Sequence, residues 1–132
     1  MSGVIANAIV IVLLTKVFQI NNELGTSLLS KSITAPIAIG LTDELGGISS
    51  ITVFAVILSG IIGAAIAPII FKLFHINDEI AQGLACGTSA HGSGTTTALE
   101  LGEIQGAMSG LAIIVTGIIT TLIAPIVNNI FF

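Results

Sequence analysis

Two stretches of the chain, residues 51–71 and 104–127, contain no charged side chain at all. Each is long enough to cross the hydrocarbon core of a bilayer as an α-helix, which takes ~20 mostly apolar residues. A third apolar stretch, from Val4 to Phe18, is shorter and would span only if Lys16 near its end reached outward to the interface. The sequence therefore predicts an all-α integral membrane protein with three hydrophobic transmembrane helices.

Composition excludes two other classes of protein. Charged residues make up 8% of the chain and hydrophobic residues 54%, whereas a soluble domain carries about 25% charged residues to cover its surface. The formal net charge is −4, and the only strong bases are Lys16, Lys31 and Lys72. Without a basic cluster the chain is not expected to bind nucleic acid. We therefore expect the chain to lie in the lipid bilayer and to have a multi-pass topology.

Two segments between the apolar stretches are neither good membrane helices nor ordinary loops. They are Leu24–Gly47 and Glu79–Gly102, and each has two short apolar halves around a polar or helix-breaking centre. The centres are Lys31–Pro36 and Gly87–Gly94. Broken backbone at membrane depth is tolerated only where it is buried in protein or lines a wet cavity. We interpret both segments as discontinuous or re-entrant helices of the kind found in transporters, rather than as amphipathic loops on the membrane surface.

The shared layout of these segments predicts an internal repeat within one membrane domain, residues 1–132. The motif Lys16–Leu24 aligns with Lys72–Ile80, with Lys, Phe, Ile, Asn and Glu in the same order. Asn21 and Asn77 are equivalent in this alignment, and each is predicted to cap the first half-helix of its unit. The predicted boundaries are about 4–59 for the first repeat, 60–103 for the second and 104–128 for the final helix.

The number of crossings stays open. Lys16 and Lys72 stand at the ends of the first two apolar helices, and lysine favours the cytoplasmic side of a membrane. If both ends are cytoplasmic, the intervening segment crosses and the chain crosses five times. If the broken segments re-enter instead, there are three crossings and the second unit is inverted.

The polar centres supply candidate binding residues. Glycines let backbone approach a ligand closely, and hydroxyls and free N–H groups offer hydrogen bonds. Thr97 and Glu100 have capping-box spacing, which predicts a half-helix beginning there with its positive end toward an anion. We assign a substrate-binding set made of Lys31, Ser32, Thr34, Thr88, Ser89, His91, Ser93, Thr95, Thr97 and Glu100.

Lys31 and His91 are the two members of this set that matter most, because ionisable residues at membrane depth are functional by default. A simpler alternative exists for each. His91 could merely form a hydrogen bond with a neighbouring broken helix, and Lys31 could neutralise a buried carboxylate. The carboxylates considered for that pairing are Asp43, Glu44, Glu100 and Glu103.

Some glycines are assigned to helix packing, because small residues spaced four apart let helices approach closely in lipid. They are Gly83, Gly87, Gly102, Gly106 and Gly110. No nucleophile elbow or zinc motif frames Ser89, His91 and Ser93, and two histidines with one cysteine make a poor metal set. We predict no enzyme activity, no metal site and no cofactor.

Several motifs resemble the LrgB/CidB family of antiholin-like membrane proteins. These motifs are residues 31–38, 45–48, 87–92, 98–103 and 106–112, and the resemblance covers most of the chain from about residue 24 onward. Members of that family are usually longer, with further membrane helices ahead of the matched region. The resemblance therefore implies that this chain corresponds to the C-terminal part of such a protein. The family often has a basic residue where Thr97 stands.

The resemblance implies two functions. Related proteins carry small carboxylates such as pyruvate, or glycolate and glycerate in plastids, which implies a transport component for small organic anions. Bacterial members are described as modulators of murein hydrolase activity and cell lysis that act with a small holin-like partner. That implies an interaction protein of the bacterial plasma membrane. A homo-oligomer is expected, and both functions hold together if lysis control follows from metabolite transport.

Overall fold

Six α-helices and no β-strand make up the computed structural model, which describes all of residues 1–132. In chain order they are α1 (Ser2–Val17), α2 (Asn22–Leu29), α3 (Ala35–Leu45), α4 (Ser49–Leu73), α5 (Glu79–Leu101) and α6 (Glu103–Phe131). By length and composition α4 and α6 could each cross a membrane, and α1 is a shorter apolar helix. The three predicted hydrophobic helices are thus confirmed as helices.

The surface of α4 and α6 is suited to lipid. Only 11% of the most apolar part of α4 and 28% of that of α6 is buried within the chain. Large side chains such as Phe54, Ile61 and Ile118 are more than half exposed. The core helix of a soluble protein would bury these side chains, so the exposed apolar surface indicates a membrane protein.

The first interrupted segment folds back on itself. After α2 the chain turns through residues 30–34 and then starts α3. Ser30 Oγ lies 2.8 Å from Thr42 Oγ1, and the Ile48 backbone N–H donates to Ser27 Oγ at 2.7 Å. Ser27, the earlier residue, therefore contacts the later position, Ile48, and Ser30 contacts the earlier position, Thr42, so the two segments run antiparallel. We call them the first hairpin, with residues 30–34 as its tip.

The second interrupted segment reverses within α5, at a single residue. His91 has φ 37° and ψ −122°, far from helical values. A Cβ built on Gly94 would lie 2.2 Å from the Cys86 carbonyl oxygen, and Ala98 is buried in one cluster with Cys86. A straight helix would separate residues 86 and 94 by roughly 12 Å. We call the halves α5a (residues 79–90) and α5b (residues 92–101), and together the second hairpin, with His91 as its tip.

The two hairpins approach α4 from opposite ends. The first is joined to the start of α4, where Thr42 Oγ1 lies 2.9 Å from Thr52 Oγ1. The second packs near the end of α4, where Phe71 is buried in one cluster with Cys86. Both tips consequently point toward the middle of α4.

The second break is much shorter than the sequence predicts. Within the predicted centre Gly87–Gly94, only His91 departs from helical backbone. The helix start expected at Thr97 is also wrong. Thr97 lies inside α5b, and its hydroxyl donates to the Ala64 carbonyl of α4 at 3.4 Å. Glycine and hydroxyl residues remain helical here because tertiary contacts outweigh their weak intrinsic preferences.

One of the two predicted N-caps is confirmed and the other is wrong. Asn21 caps α2, with Oδ1 accepting from the Glu23 backbone N–H at 3.1 Å. Asn77 does not cap α5. Asp78 occupies that position and accepts from the Ala81 N–H at 2.6 Å. Both Asn and Asp are strong N-cap residues, so the sequence pattern alone did not separate these neighbours.

Candidate functional site

The tips of the two hairpins meet at the middle of α4, around Ser59 and Gly60. The Ser59 hydroxyl donates to the backbone carbonyl of Lys31 at 3.2 Å. A Cβ built on Gly60 would lie 2.7 Å from His91 Cε1 and 3.1 Å from Ser93 Oγ, so the imidazole packs directly on glycine backbone. Lys31 and His91, far apart in sequence, thus lie against adjacent residues of α4, Ser59 and Gly60.

The ionisable groups at this meeting point are both basic. Lys31 is half-buried and donates to Ser32 Oγ at 3.4 Å, and His91 is 6% exposed. All seven carboxylate side chains of the chain are exposed and lie toward helix ends; they are Glu23, Asp43, Glu44, Asp78, Glu79, Glu100 and Glu103. The alternative in which Lys31 neutralises a buried carboxylate therefore has no candidate partner.

His91 has two features that do not favour stability. Its Nε2 is buried without a hydrogen-bond partner, a condition shared by only one other side-chain atom, Asn7 Oδ1. An unpaired buried polar atom costs about 1–3 kcal/mol, and a φ of 37° strains any residue that carries a Cβ. The imidazole packs against Gly60 of α4, and not against a broken helix as in the simpler alternative. Its Nε2 thus lies buried at the tip without a hydrogen-bond partner inside the chain.

Three other members of the predicted set join Lys31 and His91 at the tips. Ser32 is buried beside Lys31 at 8% exposure. Thr34 holds the N-cap position of α3, and no side-chain hydrogen bond caps that helix start. Ser93 follows His91 and faces Gly60 of α4. The structure therefore gathers hydroxyl groups and one uncapped helix start around the two basic side chains.

The remaining predicted residues lie away from the tips or serve helix packing. Thr88 of α5a packs against Gly3 of α1. Ser89 is exposed and donates to the Ala85 carbonyl of its own helix at 2.7 Å. Glu100 is exposed near the end of α5b, roughly 13 Å along the helix from His91.

Thr95 and Thr97 connect α5b to its neighbours. Thr95 Oγ1 lies 2.7 Å from Ser109 Oγ of α6, and Thr97 contacts α4 as described above. Both hydroxyls are already used in helix-to-helix hydrogen bonds. They are thus placed to hold the second hairpin rather than to meet a ligand at its tip.

The five glycines assigned to packing have different surroundings. A Cβ on Gly83 or Gly87 would lie 2.5 or 2.2 Å from a backbone carbonyl oxygen of α6. A Cβ on Gly106 or Gly102 would instead meet a side chain, Leu99 or Gln105 respectively. Gly110 is different, because open space surrounds the position of its Cβ.

Sequence reasoning missed a chain of buried hydroxyl groups. Thr42 Oγ1 lies 2.8 Å from Ser30 Oγ and 2.9 Å from Thr52 Oγ1, and Thr52 donates to the Ser27 carbonyl at 2.8 Å. These contacts join the first hairpin to α4. The available signal was the occurrence of single hydroxyl residues in otherwise aliphatic stretches, since polar groups at membrane depth need partners.

Comparison with known proteins gives a family match. The model of the LrgB-like family matches residues 1–130. The chain is 36% identical over 125 residues to the antiholin-like protein LrgB of Bacillus subtilis (strain 168), covering 95% of this chain and 54% of that protein. It is 34% identical over 123 residues to the antiholin-like protein LrgB of Bacillus cereus (strain B4264), covering 93% and 54%.

A further relative is the Bacillus subtilis protein YwbG, described as uncharacterized, which is 38% identical over 113 residues, covering 86% of this chain and 50% of that protein. The chain thus spans about half the length of the curated relatives it matches. No solved structure matches it.

Proposed function

The chain belongs to the LrgB-like family, and from that premise we propose that it is a membrane transport component for small organic carboxylates. One observation carries the proposal. Lys31 and His91, from two hairpins that approach α4 from opposite ends, meet at its middle with no carboxylate nearby. A basic, partly desolvated site of this kind attracts an anion that brings the missing negative charge.

The backbone at the tips adds to this preference for anions. α3 begins at the first tip, with Thr34 as N-cap, and α5b begins directly after His91. The N-terminus of a helix carries partial positive charge and free N–H groups, and transporters aim such half-helix ends at anionic substrate groups. The unpaired Nε2 of His91 gives the site a further polar atom without a partner. A carboxylate bound between the tips would be stabilised by all of these groups.

The architecture we propose is an inverted repeat of a helix followed by a re-entrant hairpin, in a multi-pass protein of the cell membrane. Entry of the hairpins from opposite ends of α4 supports it, because each hairpin then separates the site from one side of the membrane. His91 and Ser32 are buried, so the structure is closed around the site. Transport would require one hairpin to move. A homo-oligomer belongs to the proposal, since only two helices are long enough to span.

The proposal predicts saturable carboxylate flux that depends on the two basic residues. Protein reconstituted into vesicles should take up labelled pyruvate or glycolate faster than empty vesicles do. Lys31→Ala and His91→Ala should each lower that uptake at least ~10-fold, the effect of losing about 1.4 kcal/mol of charge-assisted binding. Uptake at the wild-type rate in both variants would disprove the site. No uptake by the wild-type protein would disprove the function.

The second candidate function is an antiholin-like interaction protein that modulates a holin-like partner, and through it murein hydrolases and lysis. The printed names of the Bacillus relatives support it. On this chain the small-residue position open to a partner helix is Gly110 of α6, because Gly106 already packs on Leu99. Close approach at a small residue is a common way for helices to associate in lipid.

Under this second function, Gly110→Leu should abolish co-purification with a small holin-like membrane protein. The leucine side chain would occupy the space that the partner helix needs for close approach. Carboxylate flux by the purified variant should stay within about twofold of wild type, since Gly110 lies away from the tips. Undiminished co-purification of Gly110→Leu would exclude this face as the contact.

A further inference from the structure

Two backbone carbonyls, one at the end of α2 and one in the tip that follows, accept hydrogen bonds from side chains of other helices. Asn7 of α1 donates through Nδ2 to the Leu29 carbonyl at 2.9 Å. The Ser59 hydroxyl of α4 lies 3.2 Å from the Lys31 carbonyl oxygen and 3.1 Å from the Val56 carbonyl oxygen of its own helix, so its hydrogen is shared between these two acceptors. Leu29 is the last residue of α2, and Lys31 lies in the tip that follows. Neither Asn7 nor Ser59 belongs to the set predicted from the sequence.

These hydrogen bonds matter because the negative end of a helix lies next to a site proposed to bind an anion. The last carbonyls of a helix have no intrahelical partner and carry partial negative charge, which attracts cations and repels anions. Uncapped carbonyls at the end of α2 would offer the Lys31 ammonium a local partner and would repel a bound carboxylate. The hydrogen bond from Asn7 occupies one of these carbonyls, that of Leu29, and Ser59 donates to the Lys31 carbonyl in the tip itself, so less negative charge faces the ligand.

The orientation of Asn7 agrees with this role. Its Nδ2 faces the Leu29 carbonyl, and its Oδ1 is left buried without a partner. The opposite orientation would place two acceptor oxygens together, which is worse than leaving one unpaired. The Asn7 amide is therefore oriented to donate to the Leu29 carbonyl of α2, and this orientation leaves its own Oδ1 without a partner.

We infer that Asn7 and Ser59 are positioning residues of the anion site. They act through the backbone carbonyls of Leu29 and Lys31, fixing the first tip and leaving the Lys31 ammonium available to the ligand. This inference rests on the proposed carboxylate transport function. It assigns the two residues a role in affinity, because the ligand would meet a less negative and better fixed tip, and no direct role in movement of the hairpins.

The test is the kinetics of pyruvate or glycolate uptake by reconstituted variants. Asn7→Leu and Ser59→Ala each remove one donor, and each should raise KM about three- to tenfold, the equivalent of one net hydrogen bond. Maximal rate should stay within about twofold of wild type. Ser59→Thr keeps a hydroxyl donor and should restore KM to near the wild-type value.

Two matched controls exist on α6. Thr121 donates to a carbonyl of its own helix, Gly117, at 2.9 Å, and Asn129 is exposed near the end of the helix. Thr121→Ala and Asn129→Leu should leave KM unchanged. A thermal shift of each purified variant with added carboxylate gives an affinity readout that does not depend on flux.

Each outcome decides between the claims. If Asn7→Leu and Ser59→Ala keep wild-type KM while Lys31→Ala loses uptake, the inference is overturned and the proposed function stands. If the two variants lose maximal rate at unchanged KM, their role is structural and the inference is overturned. If the wild-type protein moves no carboxylate, the proposed function fails and the inference fails with it.

Discussion

Replacing His91 by glycine is expected to abolish carboxylate transport while leaving the protein more stable than the alanine variant at the same position. Both substitutions remove the imidazole. They differ only in the backbone, because φ at this residue is 37° and alanine keeps the Cβ that makes this conformation strained. Strain of this kind costs about 1–3 kcal/mol. Part of the stability that glycine gains by relieving this strain is offset by its greater unfolded-state entropy, about 0.5–1 kcal/mol.

The measurement is thermal or denaturant unfolding in detergent together with vesicle uptake. We expect His91→Gly to be about 1 kcal/mol more stable than His91→Ala and both to be inactive. His75 is the matched control, since it also has positive φ, 54°, but is exposed and far from the tips. His75→Gly should be stabilised relative to His75→Ala with normal uptake. Transport by His91→Gly at the wild-type rate would show that the imidazole is not required.

The sequence indicated the helices and the broken segments well, because apolar runs and polar breaks are local signals. α4 and α6 begin and end within a few residues of the predicted stretches. The tight reversal at His91 could not be predicted in the same way. The residues around it, including Gly92 and Gly94, predict a longer break, yet both keep helical backbone, and Gly94 packs against the Cys86 carbonyl of α5a.

The sequence predicted the two basic side chains of the candidate site, but not the residues that hold the first tip in place. An isolated lysine and histidine in apolar surroundings are conspicuous, and the structure brings Lys31 and His91 to adjacent residues of α4. Ser59 and Asn7 are ordinary polar residues of apolar helices, and their importance depends on a carbonyl end that only the folded chain brings to them. Glu100 was included because of its spacing from Thr97, a local pattern that the long α5b helix makes irrelevant.

The largest loss of stability is expected from Gly87→Ala, since an added methyl group would overlap atoms of α6. Its Cβ would lie 2.2 Å from the Ser109 carbonyl oxygen and 2.8 Å from the Ala112 Cβ. The first of these is backbone, so no side-chain rotation can relieve the overlap, and α5a must move away from α6. Overpacking of a close contact typically costs about 1–3 kcal/mol, and we expect the upper part of that range.

Gly110→Ala is the matched control on α6. No atom lies within 4 Å of the added Cβ, and alanine is favoured over glycine inside a helix by up to about 1 kcal/mol. The variant should therefore be as stable as wild type or slightly more stable in detergent unfolding. Both glycines look alike in the sequence, since each belongs to a series of glycines spaced four residues apart, so their opposite responses test the packing of α5a on α6. Equal tolerance of both substitutions would mean that α5a does not lie against α6 as described. The second hairpin would then lose its main support, and with it the placement of His91 beside Lys31.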